Sequence, residues 1–370
     1  MSIAREEGTP PQPRAMCSGK AGTQSAATDV QVDLRSFRSG SEPEWELPRW
    51  DNPVSQGVFP LLRRHEDRLY PIGTAFCVSR FGIIATAKHC IDEAVKNERN
   101  PRPLEEPGHH DLRDNGLSVL HYHLVRPDVV RFTVWPITNI AGAPPTDAVF
   151  GSLLTGTPAT ALLSPRLSPG LPETGTPVMT VGYRFPEKLV RNGMSASEIK
   201  TGTFDWTTNY EHKLVVVEGQ VGTLFLHRHR FVGGPCFLTG RKTYSGQSGG
   251  PVFNEAGNVC GIHSGCTLSE GGIASMIYPA LTAPLKVTRD FGPSLRMIFD
   301  QPIGHLMLSG AIRTDGTERL VRVTQDSRGI RIDPIFPKDA QLDIYDDAHS
   351  HSDGRPSERL PLTPEEPPPN

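Results

Sequence analysis

The sequence predicts an all-β protein, and three observations carry that prediction. Short segments rich in β-branched and aromatic residues recur along the chain, such as "VVRFTVWPI" and "TPVMTVGYRF", and they break at Gly, Pro, Asn or Asp. Turn formers are abundant, with 36 Gly and 35 Pro in 370 residues. Only two stretches look helical: "AKHCIDEAVKN" from Ala87 and "YPALTAPLKVTRD" from Tyr278.

Taken in order, residues 1–45 mix charge, proline and small polar residues without hydrophobic periodicity, which predicts a disordered leader. This segment holds no apolar stretch of the kind a secretory signal needs, so a cytoplasmic setting is expected. "GTAFCVSRFGIIATAKHC", Gly73 to Cys90, reads as an apolar strand, a turn at Arg80 to Gly82, a second strand, and then His89 at the mouth of a short helix. "LSVLHYHLV" alternates like an exposed strand and puts His121 and His123 on one face. With His109 and His110 these residues raise a metal reading, against which an exposed strand face is the plainer account; the cysteines form no CxxC pair for zinc, and neither metal nor cofactor is expected.

Pro-rich "LLSPRLSPGLPETGTP", residues 162–177, reads as a connection between a first β module at 57–161 and a second at 178–288. Residues 289–348 alternate again, with "TDGTE" as a hairpin signal, and predict extra β elements of unassigned role. The Pro-rich, charged segment 349–370 predicts a disordered tail. The chain is long enough to bury a substantial core in roughly two domain equivalents. Its net charge of −3 offers no basic stripe for nucleic acid, so "HRHR" at His227 to Arg230 reads as a surface strand or loop. No apolar run approaches the about 18 residues of a membrane span.

The most specific stretch is "KTYSGQSGGPVF", Lys242 to Phe253. Gly and Ser dominate ordinary turns, yet glycines packed around Ser248 also suit a nucleophile. They let the backbone bend tightly and let a carbonyl approach the hydroxyl without a Cβ in the way. A serine hydroxyl becomes a useful nucleophile only when a base takes its proton and a carboxylate orients that base. The chain supplies candidates for both in "TAKHC" and "PPTDAVFGSL", in the order His89, Asp147, Ser248. Alone, His89 would be an ordinary half-buried histidine and Asp147 a turn former.

Together the three motifs resemble the trypsin-like, chymotrypsin-fold serine peptidases over roughly Gly57 to Val287. The resemblance implies two antiparallel six-stranded β-barrels with the active site between them and a short closing helix. It further implies cleavage of protein or peptide substrates through an acyl-enzyme, with His89, Asp147 and Ser248 as the triad and the amides of Gly246 and Ser248 as the oxyanion hole. In zymogen-type members an Asp precedes the serine and pairs with a new N-terminus; here that residue is Gln247, so activation by that ion pair is not expected.

The pocket positions resemble those of glutamyl endopeptidases. His263 in "GIHSG" and Thr243 would grip an acidic or glutamine side chain, Lys242 would repel basic ones, and Ser264 and Gly265 would complete the substrate-binding edge. A domain of this kind that binds peptides without cutting is the alternative, although such relatives usually lose Ser or His. Cys77 and Cys90 only superficially match the bridge that secreted members make beside the catalytic histidine, and the pocket cysteines have no match. Free thiols are therefore expected among Cys17, Cys77, Cys90, Cys236, Cys260 and Cys266.

Overall fold

The computed structural model describes residues 32–335, except for the short segments 39, 49–51, 97–107, 112–115, 127–128, 144, 154–161, 212, 291–295 and 327–328. Six strands, Val58–His65, Arg68–Ser79, Ile83–Ala87, Leu117–Arg126, Val129–Gly142 and Ala148–Leu153, pair antiparallel in a closed ring. Closure follows from the long strand Arg68–Ser79, which pairs with Val58–His65 along one edge and with Ile83–Ala87 along the other. A closed barrel leaves no open edge to water. Alternate residues point inward, and Phe59, Leu61, Ala75, Ile84, Val119, Ile140 and Val149 fill the interior.

His121 is also inside and not on an exposed face. It is 4% exposed and stacks on Trp135 with ring centroids 4.0 Å apart. Its neighbour Tyr122 is buried on the other side of the strand, where its Oη shares a hydrogen bond of 2.8 Å with Tyr183 Oη of the second sheet. A strand covered on both faces does not show the polar-out alternation of a half-exposed one. The side chains of His109, His110 and His123 lie outside the described residues.

The second sheet has eight strands in the order Glu44–Glu46, Leu214–Gln220, Pro177–Tyr183, Pro251–Asn254, Val259–Thr267, Gly271–Ser275, Cys236–Leu238 and Leu224–Phe225. Every pairing is antiparallel. Its end strands do not pair with each other among the described residues, so pairing closes only the first of the two expected barrels. Part of the expected leader belongs here: Glu44–Glu46 pairs with Val215–Val217, and Val32, Leu34, Trp45 and Leu47 are buried in the main core. These four apolar side chains are enough to fix a segment whose overall composition reads as disordered. Residues 1–31 and the tail 349–370 lie outside the described residues.

The connection at 162–177 is woven into the fold. Leu162, Leu167 and Ser168 are buried, Ser168 N donates to Val259 O at 2.7 Å, and Leu167 N donates to Arg313 O at 2.9 Å. The expected closing helix is reduced to a 3-10 turn, Tyr278–Thr282, because the chain passes into a strand at Pro284, whose missing N–H cannot continue a helix. That strand, Pro284–Asp290, pairs with Arg296–Pro302. "TDGTE" forms a local turn and not a hairpin. Asp315 Oδ1 accepts from Thr317 N at 3.0 Å and from Thr317 Oγ1 at 2.6 Å, and a 3-10 turn follows. The hairpin comes next, between Val321–Asp326 and Gly329–Pro334. Helix Ile303–Leu308 lies between the two strand pairs, and Ile303, Leu306, Met307 and Ile312 join the same core as both sheets.

Candidate active site

His89 and Asp147 are brought together by strand register. Ala87 ends one barrel strand and pairs with Ala148 at the start of its neighbour, so the residues just beyond and just before them meet. Helix Lys88–Lys96 starts at that point, which places His89 in its first turn. His89 Nδ1 lies 2.8 Å from Asp147 Oδ2, His89 N donates to Asp147 Oδ1 at 2.9 Å, and Lys88 N donates to Asp147 O at 2.6 Å. Asp147 is 9% exposed. The His89 side chain is 45% exposed; the desolvation it does suffer opposes a charged imidazole, but hydrogen bonds with Asp147 and Cys90 and the charge of those two groups prevail, holding its pKa above the usual value of 6.5.

Ser248 lies on the loop between strands Cys236–Leu238 and Pro251–Asn254 of the second sheet. The first barrel grips this loop through Thr74. Thr74 N donates to Ser248 O at 2.7 Å, and Thr74 Oγ1 donates to Gly246 O at 2.6 Å while accepting from Tyr183 N at 2.9 Å. The glycines have distinct reasons. Gly249 has φ +86°, and a Cβ there would lie 2.1 Å from Thr74 O. Gly246 has φ +98°, and a Cβ would meet the Phe185 ring and Tyr183 O, both at 2.7 Å.

The loop's amides divide into two sets. Gln247 N donates to Tyr244 O, Gly249 N to His263 O and Gly250 N to Gln247 O. The amides of Gly246 and Ser248 donate to no acceptor among the described residues. Gln247 is fully buried; its Oε1 accepts from Tyr244 N at 2.8 Å and its Nε2 donates to Val215 O at 3.2 Å. It thus cross-links the loop to the neighbouring strand with uncharged groups, where an Asp would need a cation.

Ser248 Oγ makes no hydrogen bond among the described residues. The neighbour of His89 Nε2 is Cys90 Sγ at 3.6 Å, and the same sulfur lies 3.6 Å from Ser248 O. The five described cysteines, Cys77, Cys90, Cys236, Cys260 and Cys266, are all unbridged. Sequence reasoning gave Cys90 no role beside the imidazole, although its adjacency to His89 was visible. It also missed Thr74, whose partners Tyr183, Gly246 and Ser248 lie more than 100 positions away.

Of the expected pocket residues, His263 and Thr243 meet: Thr243 Oγ1 lies 2.9 Å from His263 Nε2. His263 is 1% exposed, and burial together with the positive field of His89 brings its pKa down to about 3. Ser264 is buried, with its hydroxyl 2.7 Å from Ser275 Oγ, while Gly265 faces open space. Lys242 is exposed, with no hydrogen bond or ion pair among the described residues. Beside Ser264 and Gly265 runs a groove of about 330 Å³ walled by Phe231, Val232, Leu268 and Ile273.

Residues 73–262, just over half of the chain, match the family described as the trypsin-like peptidase domain. Similar solved structures include the MamO protease domain from Magnetospirillum magneticum, 13% identical, with 61% of this chain and 93% of that chain covered at a TM-score of 0.39. Deg5 is 15% identical, with 60% and 84% covered at a TM-score of 0.37. An HtrA-type protease, AlgW, solved with a tripeptide is 17% identical, with 61% of this chain and 57% of that chain covered at a TM-score of 0.34. No curated protein matches the chain. Among the described residues no helix is long and apolar enough to cross a membrane.

Proposed function

The chain belongs to the trypsin-like peptidase family, and from that membership we propose that it is a serine endopeptidase acting through Ser248, His89 and Asp147. The observation that carries the reading is the double grip of Asp147 on His89, at 2.8 Å to the ring and 2.9 Å to the main chain. This grip turns Nε2 away from Asp147, so that once Cys90 Sγ, 3.6 Å from it, gives way it can take a proton from Ser248 Oγ as the hydroxyl attacks a peptide carbonyl. His89, now charged beside Asp147, then passes that proton to the departing amine. Water repeats the sequence on the acyl-enzyme and releases Ser248. The uncommitted amides of Gly246 and Ser248 would receive the oxyanion, and in such sites one donor of this kind is worth about 3 kcal/mol in the transition state. The His89–Ser248 hydrogen bond would form with bound substrate, as catalytic contacts often tighten only there.

His263 bears on the residue before the scissile bond. Held neutral, it can exchange a hydrogen bond with a side-chain amide but brings no charge to meet a carboxylate, so a glutamine suits this pocket better than a glutamate. The Cys90 contact at Nε2 favours the second reading, a peptide-binding domain without turnover. A serine-reactive phosphonate decides between the two. We expect labelling of the folded chain at Ser248 and none in Ser248→Ala, whereas a folded wild type that resists the reagent supports the binding module. Peptides varied only at that position should be cut in the order Gln before Glu before Arg, and preferred cleavage after Arg or Phe would reject the pocket assignment.

A further inference from the structure

Residues 32–47 reach the loop that bears Ser248. Strand Glu44–Glu46 pairs with Val215–Val217, and Leu47 N donates to Leu214 O at 2.8 Å, so this segment braces the strand whose Val215 carbonyl receives Gln247 Nε2. A direct contact is added on the other side. Tyr244 Oη donates to Glu44 Oε2 at 2.5 Å, and the guanidinium of Arg184 sits 4.4 Å over the Tyr244 ring. Tyr244 is bonded to the loop at both main-chain groups, its N to Gln247 Oε1 and its O to Gln247 N. The segment is itself anchored, with Arg35 and Arg38 both 2.9 Å from Glu218 and Glu218 N donating to Pro43 O at 2.8 Å.

We propose that the segment Val32–Leu47 is a positioning strap for the oxyanion loop, acting through the Glu44–Tyr244 hydrogen bond. The proposal rests on the catalytic reading above. Where zymogen-type relatives pair an Asp before the serine with a newly cut terminus, the carboxylate here belongs to an upstream segment of the chain and reaches the loop from the outer side. Glu44 and Tyr244 are positioning residues and not catalytic ones, since neither touches the reacting atoms. Loosening Tyr244 frees Gln247 and with it the orientation of the Gly246 and Ser248 amides, which act on the transition state more than on bound substrate. The strap's loss is therefore expected in kcat with little change in KM.

The experiment compares full-length wild type, Glu44→Leu, Glu44→Gln, Tyr244→Phe and the double variant Glu44→Leu/Tyr244→Phe, with Glu46→Gln as a control two residues along the same strand face, where the carboxylate lies 3.7 Å from Lys213 Nζ. The readouts are phosphonate labelling rate, peptide turnover and thermal unfolding. Glu44→Leu and Tyr244→Phe are each expected to lower labelling rate and kcat about tenfold, the scale of one hydrogen bond. Glu44→Gln, which keeps an acceptor oxygen, should retain most of the wild-type rate. The double variant should be no slower than either single one, because both remove the same bond. A labelled wild type with Glu44→Leu and Tyr244→Phe reacting at its rate overturns the strap. Additive losses in the double variant overturn it too, as does a Glu44→Leu effect confined to KM or matched by Glu46→Gln. A folded wild type that takes no label removes the catalytic reading, and the strap's role with it.

Discussion

A carboxylate that accepts from both the ring and the main chain of one residue fixes that residue's orientation and its tautomer. For His89 the partner is Asp147, and Asp147→Asn should lower kcat by about 10⁴-fold while leaving the fold intact, as circular dichroism and steady-state kinetics would show together. The sign of the pH response follows from the raised pKa. His89 must be neutral to accept a proton, so kcat/KM should climb as pH rises through a value above 6.5. The Cys90 contact contributes to that rise, and Cys90→Ala should move the acid limb of the profile to lower pH. An unmoved limb would show that Cys90 has no hold on the imidazole. Linkage gives the companion result for stability. A raised folded-state pKa stabilises the protein fully below pH about 6.5, and that contribution fades as pH rises through the folded value. His263 works in the other direction. Its pKa near 3 means that the unfolded chain takes up the proton first, so its contribution to stability falls between pH about 6.5 and 3.

At the level of single elements, the loop around Ser248 depends on what the first barrel presents to it. Gly249→Ala would place a Cβ against Thr74 O and force a side chain into the left-handed region, and loss of phosphonate labelling is expected. Thr74→Val would leave Tyr183 N without its acceptor, at a cost of about 1–3 kcal/mol in denaturant unfolding, and would slow labelling by releasing Gly246 O. The glycines of this loop were legible in the sequence because a tight turn with positive φ at Gly246 and Gly249 calls for them locally, whereas the contacts with Thr74, Tyr183 and Phe185 that also exclude a Cβ were not. Several strands of the first barrel were legible as β-branched and aromatic runs between turn residues, but Val58–His65 was not among them. Thr74, Tyr244 and Glu44 were not legible, because their roles come from contacts across the fold and not from spacing. His121 misled by alternation, since its strand is covered on both faces. Pro284 was visible in the expected closing helix, but the strand it begins depends on a partner at Arg296–Pro302.

Across the whole molecule, segments from both ends of the described chain complete one core. Val32 and Leu34 enter from one side, and Leu285, Ile303, Leu306 and Ile312 from the other. Ile312→Ala should therefore cost about 2–5 kcal/mol of global stability, read as a shifted midpoint in a single unfolding transition. A separate early transition with the two large sheets unaffected would mean that the stretch from Arg296 onward forms an appendage. Ser79 Oγ, which donates to Ala311 O at 2.6 Å, ties the same stretch to the first barrel.

The connection described at 162–177 carries a further consequence. Between Leu162 and Gly170 most residues are covered, and the backbone is hydrogen-bonded to Val259 and Arg313. Scissors need slack. Digestion by an added protease should leave this stretch whole, so no pair of nicked halves should arise from a cut between Leu162 and Gly170, however long the incubation.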